Sequence, residues 1–210
     1  MNVNFEYSKT LAIEGSILLL LSLIPYVGWV LGIVGVVLLL RSMKEFSNYY
    51  QDEKIYQDSL TGVKYYIVAI IAAAVAIAAF TVGIWSATGF TSAFELTAGF
   101  GIGLVAFIVG LVVAFVFYIL ASSHLKRTFN TLAQKSGESS FTTAGTLLWI
   151  GSILTIIGVG LILILIGWIF ATIGFSAMKS RQYQQYTPQP TGYGYAVPPT
   201  QQEQAKSSQP

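Results

Sequence analysis

Residues 10–40 read TLAIEGSILLLLSLIPYVGWVLGIVGVVLLL, an unbroken apolar run with a single charge, Glu14. As one helix the run would measure about 46 Å, too long for the ~30 Å hydrocarbon core of a bilayer even with tilt. Ile24-Pro25-Tyr26-Val27-Gly28 lies near its middle. Proline removes a backbone donor and clashes with the preceding turn, and glycine accepts backbone angles that other residues resist. The reading that decides the fold is therefore a helical hairpin turning at Pro25 and Gly28, with helices at about 9–24 and 28–48.

Three further apolar blocks follow, at 62–85, 98–123 and 142–178. The two middle blocks each have the length of one spanning helix. The last holds Gly158-Val159-Gly160 where the first holds its proline turn, which predicts a second hairpin with helices at 142–158 and 161–179.

Charge placement tests the hairpins. The eleven Lys and Arg residues fall in four patches: Lys9; Arg41, Lys44, Lys54 and Lys64; Lys126, Arg127 and Lys135; Lys179, Arg181 and Lys206. Basic residues accumulate on the cytoplasmic side of a membrane. With four crossings the patches divide between the two sides; with six crossings all of them share one. The expected fold is thus an all-α integral membrane protein, a six-helix transmembrane bundle with two hairpins flanking a central helix pair. It lies in the cell (plasma) membrane with both termini cytoplasmic. Legs of about 15 residues reach only ~22–24 Å, so the outer hairpins must extend past the charges, thin the bilayer or re-enter. Tyr26, Trp29 and Trp85 suit the outer interface, and Tyr65, Tyr66 and Tyr118 the inner one. Trp149 and Trp168 fit neither belt and read as packing residues.

Composition agrees. Only 10% of the residues are charged, against about 25% in a soluble domain. The chain has no cysteine and one histidine, which excludes disulfides, thiol catalysis and His- or Cys-based metal sites. A net charge of +2 is too small for nucleic-acid binding. No cleavable signal is expected, since Glu6 offsets Lys9 and no small-x-small site follows the first apolar run.

The hairpins resemble one another. At an offset of 136 residues, Phe5, Thr10, Leu11, Gly15, Ser16, Ile17 and Leu18 match Phe141, Thr146, Leu147, Gly151, Ser152, Ile153 and Leu154. Both hairpins end in Met-Lys, at Met43-Lys44 and Met178-Lys179. The expected relation is an internal duplication of parallel orientation. Met43, Phe46 and Tyr50, and again Leu125, Phe129 and Leu132, recur at helical spacing beside charges; such faces lie along the headgroup boundary, and they read either as docking faces or simply as the tapering ends of spanning helices. The stretch 180–210 holds eight Gln and five of the six prolines, too little apolar surface to fold. It reads as a disordered cytoplasmic tail after a membrane domain at 1–179.

Two residues invite a functional reading. Glu14 is an ionisable group inside an apolar block, a turn or two from the inner interface, where it can snorkel, stay protonated, or pair with Arg41, Lys64 or His124. Its repeat counterpart is Ile150. His124 ends the predicted fourth helix, where a histidine caps carbonyls and meets the helix dipole; a proton relay with Glu14 is the sharper alternative. The glycines at 28 and 32, 103 and 110, and 160, 167 and 174, with an Ala-rich face at 72–79, read as helix-packing surfaces. No hydrolase triad, phosphate loop or metal motif is present, so neither enzymatic activity nor a cofactor is expected.

Lys9-Thr10-Leu11 with Gly15-Ser16-Ile17-Leu18, then Ile24-Pro25-Tyr26-Val27-Gly28, then Tyr49-Tyr50 and Asp52-Glu53, resembles an uncharacterised archaeal membrane family, domain of unknown function 996. Phe129-Asn130-Thr131-Leu132 followed by Thr143-Ala144-Gly145 is similar to its second-half signature. The resemblance covers about residues 8–179. It implies a multi-pass membrane domain and an archaeal source, with no mechanism and no site residues. Two function classes stand. One is a structural or interaction module, anchored in the lipid bilayer and recruiting a protein partner through its tail or amphipathic segments. The other is a small transporter or channel for an ion or an apolar solute. The scarcity of polar groups near the midplane favours the first.

Overall fold

Helices account for the regular structure of the described residues, 5–24, 26–88 and 93–180 of a computed structural model. They are α1 (Phe5–Leu21), α2 (Gly28–Tyr50), α3 (Glu53–Thr88), α4 (Ala93–Ser136), α5 (Ser140–Leu154) and α6 (Gly160–Ala177), with a 3-10 turn at Thr155–Ile157 between the last two. Met1–Met178 form one compact unit. Pro25 and the tail from 181 onward lie outside the described residues. Stretches of α3, α4, α5 with its 3-10 turn, and α6 are long and apolar enough to cross a membrane. The helix α1 has only 17 residues, and α2 carries Arg41, Lys44 and Glu45 in its second half.

The helices close into a ring. Each packs on its sequence neighbours, α1 on α2 through α5 on α6, and α6 returns to α1. Small residues set the close approaches. A methyl group on Gly103 would lie 3.0 Å from Gly83 Cα, and one on Gly110 2.6 Å from Ala76 Cβ, so the Ala-rich face of α3 meets the glycines of α4. The hairpin turn at Gly28 is similarly tight, because a side chain there would overlap the Ser22 carbonyl.

The repeat has a structural counterpart in the two outer hairpins. A methyl on Gly15 would stand 2.9 Å from Leu39 N and 3.0 Å from Gly35 O; one on Gly151 would stand 3.0 Å from Gly160 O and 3.1 Å from Ile164 N. Ser16 and Ser152 each donate to the carbonyl three residues back, Ile13 and Trp149. Beyond the glycines the correspondence ends. Gly151 meets the first residue of α6, beside the turn, whereas Gly15 meets Gly35 well inside α2. The second hairpin therefore ends sooner after its close contact, which is why the sequence register is lost at the turns.

The helices overrun the apolar blocks at the charged end, and that overrun builds the core. Phe46, Phe129, Phe141 and Phe175 are fully buried together with Met43, Ile55, Leu132 and Met178. Phe129 lies 5.9 Å from Phe141 and 6.1 Å from Phe175, and Phe46 stacks on Phe175 at 6.2 Å. The expectation that Met43, Phe46 and Tyr50, and Leu125, Phe129 and Leu132, lie along the headgroups is corrected here. Those faces turn inward and seal the ring, because six helix ends converge there and bury more apolar area against one another than a membrane surface offers.

At the opposite end the lengths diverge. With 23 and 36 residues, α2 and α3 measure about 34 and 54 Å at 1.5 Å per residue. Both run from the charged end, so α3 and its partner α4 stand roughly 20 Å beyond the tip of the first hairpin. There they pack on each other, Phe80 against Phe107 at 5.0 Å, while Val82, Ile102 and Val105 point outward. An apolar exterior of this kind suits lipid as the solvent.

Candidate functional site

Glu14 follows Ile13 on α1 and is exposed, with no hydrogen bond or ion pair among the described residues. Its neighbour Gly15 packs on Leu39, two positions from Arg41, so the carboxylate sits about one turn inside the charged end, within snorkelling reach. None of the anticipated partners, Arg41, Lys64 or His124, pairs with it.

His124 does not end a helix. The helix α4 continues through Ser136, so its carbonyls at this level are already bonded and the capping role is removed. His124 Nδ1 instead faces Asp58 Oδ1 of α3 at 3.1 Å, and its ring lies 5.5 Å from that of Tyr65. Both side chains are largely covered. The partner of the histidine is thus Asp58, so the relay to Glu14 has no contact to run through. The sequence shows Asp58 only as one charge in a polar stretch, and its pairing depends on how α3 and α4 align.

Around this pair runs a belt of hydroxyl contacts between helices. Ser59 Oγ lies 3.1 Å from Thr128 Oγ1, Ser122 and Ser152 have their hydroxyl oxygens 2.6 Å apart, and Thr172 donates to Ser16 at 2.9 Å. These pairs tie α3 to α4, α4 to α5 and α6 to α1. Asn130 Oδ1 is buried without a partner. At the charged surface Lys9 donates to the Met178 carbonyl at 2.9 Å, joining the start of α1 to the end of α6. Lys135 reaches Asp52 at 3.0 Å. Its hydrogen bond holds the Asp52 carboxyl below the ordinary carboxylate value. Trp149 lies under Lys126, whose Nζ is 4.4 Å from the ring centroid, which accounts for a tryptophan outside both interfacial belts.

Above the aromatic seal the ring surrounds a partly open cavity of about 260 Å³ lined from every helix, by Leu19, Val36, Val63, Tyr118, Leu148 and Ile164 among others. Its polar members are Ser22, Ser59, Ser122, Tyr66 and Tyr118, and no charged residue lines it. A second hollow of about 280 Å³ continues upward on the α3–α4 surface over Ala69, Ala73, Leu111 and Ala114, sharing Tyr66 and Tyr118 with the first. The tyrosines assigned to the inner belt therefore stand, 6.3 Å apart, where the two spaces meet. No cluster of three metal-ligating side chains occurs among the described residues.

Comparison with known proteins places the chain in a family and adds no activity. An uncharacterised protein of Methanocaldococcus jannaschii is 28% identical over 166 residues, 78% of this chain and 89% of that protein. No solved structure matches. Residues 31–169 match the model of a protein of unknown function, DUF996. The match spans α2 to the middle of α6, so this chain belongs to the DUF996 family.

Proposed function

We propose that this protein is a membrane-embedded interaction module that conducts no ions. It offers its basic end and its C-terminal tail to a protein partner in the cytoplasm, with six membrane-inserted helices and both termini on that side of the cell membrane. The observation that carries this reading is the seal. Four buried phenylalanines close the ring at the charged end, and the cavity above them has no charged lining. An ion entering such a space would lose its hydration shell with nothing to replace it.

The outer hairpins are proposed to end inside the far leaflet. Gly28 to Leu40 of α2 measure about 20 Å above the level of Arg41, some two-thirds of a ~30 Å hydrocarbon core. The tip of the second hairpin carries Ile156, Ile157 and Val159, all exposed, a composition that suits hydrocarbon better than water. A carrier for an apolar solute is the second reading, and the apolar lining of the cavity is what favours it.

Two measurements test the proposal. Proteoliposomes holding the protein should show no proton, sodium or potassium flux above empty vesicles; a flux abolished by Glu14→Gln would refute it. Affinity purification of the full chain should retain a partner that is lost when residues 181–210 are deleted, while the membrane domain stays monodisperse.

A further inference from the structure

We propose that the cavity inside the ring is a binding site for one hydrocarbon chain of a bilayer lipid. The chain enters along the hollow on the α3–α4 surface and passes between the ring wall and Tyr66 and Tyr118. The entrance rests on the proposed depth of the hairpin tips; the site itself does not.

Three observations select this occupant. The cavity lining holds no Asp, Glu, Lys, Arg or His, so a charged ligand would be buried unpaired. The serine hydroxyls in the wall are already used. Ser22 donates to Leu19 O at 2.7 Å, Ser59 donates to Ile55 O at 2.8 Å and is oriented to Thr128, and Ser122 is bonded to Ile119 O and Ser152. What remains facing the space is hydrocarbon, and apolar cavities of this kind exclude water and accept apolar guests. The third observation is adjacency. The interior cavity and the surface hollow share Tyr66 and Tyr118 in their walls, and the hollow lies on the exposed surface of α3 and α4, where Ile70 and Leu111 are uncovered. Its floor of Ala69, Ala73 and Ala114 leaves room for a chain to lie against the helices.

The dimensions agree. From Ser59, deep in the cavity, to Ala73, in the hollow, α3 rises about 21 Å. That length suits an extended hydrocarbon chain, and the lining along it is apolar apart from the hydroxyls named above. Tyr66 stands at the mouth, and its hydroxyl has no hydrogen bond among the described residues. It is free to meet an ester, ether or hydroxyl oxygen carried by the entering lipid.

Trp168 lines the cavity and supplies the probe. Replacing Trp29, Trp85 and Trp149 with Phe leaves it as the sole tryptophan of the full-length protein. This protein is reconstituted in vesicles of phosphatidylcholine with dibrominated acyl chains, and its fluorescence is compared with that in unbrominated vesicles. The same comparison is made after Val63→Phe, which places a ring in the cavity, and after Leu40→Phe, which fills it from α2 should Val63→Phe not yield monodisperse protein. The expected result is strong quenching of Trp168 by brominated chains and loss of much of that quenching in the filled variant. Equal quenching in both proteins would mean that bromine acts only from outside the ring and would overturn the proposal. Quenching by aqueous acrylamide in place of brominated lipid would overturn it by showing a water-filled space. Insensitivity to both would overturn it by showing a closed void. A failed ion-flux or partner-capture experiment bears on the interaction reading alone.

Discussion

Phe129→Ala probes the seal at the charged end. Phe129 is fully buried and lies 5.9 Å from Phe141, 6.1 Å from Phe175 and 6.3 Å from Trp168. Truncation would empty the centre of an aromatic cluster fed by both ends of the chain, because Phe5 joins it through Phe46 at 6.0 Å. Phe→Ala changes in well-packed cores cost about 3–5 kcal/mol. For a chain of this size, with roughly 2–4 °C lost per kcal/mol, the melting temperature should fall by roughly 6–20 °C. The matched control is Val105→Ala on the outer half of α4. Val105 is 62% exposed, so lipid solvates either side chain nearly equally, and a surface change of this kind costs within about 0.5 kcal/mol. Both variants and the parent should be heated in the same detergent at the same rate, because unfolding of such proteins is commonly irreversible. Size-exclusion recovery measures survival, and Trp168 fluorescence reports the cluster directly when Trp29, Trp85 and Trp149 are replaced with Phe in all three proteins. A loss for Phe129→Ala no larger than that for Val105→Ala would refute the idea that the core sits at the charged end.

Gly160→Ala should prevent assembly of the second hairpin, since the added methyl would overlap the carbonyl of Gly151; Gly101→Ala, with nothing within 4 Å, should be neutral or stabilising by about 1 kcal/mol, and recovery from membranes distinguishes them. Asp52→Asn should lower stability modestly, by less than about 1 kcal/mol as for other surface pairs. Because Lys135 depresses the folded carboxyl relative to its ordinary 3.8, the parent's advantage is complete above that pH and disappears as pH falls through the depressed folded value; melting curves across pH 7 to 2 test the sign. Glu14→Gln should leave stability within about 0.5 kcal/mol of the parent, in keeping with its exposed, unpaired position, and a clear loss would reveal a partner. Single cysteines, straightforward in a chain that has none, should be modified from outside at Ser92→Cys and protected at Val159→Cys; equal labelling would mean that the second hairpin reaches water.

The count of helices, the turn before Gly28 and the presence of helices long and apolar enough to cross a membrane are legible in the sequence. They follow from local quantities: run length, the proline and glycine break, and the clustering of all eleven basic residues. The likeness of the two hairpins is legible at Gly15 and Gly151, since a close helix contact at each constrains the residue type directly. The place of His124 inside a helix is hidden in the sequence, because hydropathy falls there while the helix runs on. Backbone hydrogen bonding continues to Ser136 without regard to polarity, and only the alignment of α3 with α4 brings Asp58 to the ring. The inward turn of Phe46 and Phe129 was equally hidden. An apolar face at helical spacing looks the same whether it meets lipid headgroups or another helix. So the sequence by itself determined that six helices form and which of their ends is charged. The closure of α6 onto α1, the aromatic seal and the cavity above it are products of tertiary structure, because each depends on contacts between residues more than a hundred positions apart, such as Thr172 with Ser16 and Lys9 with Met178.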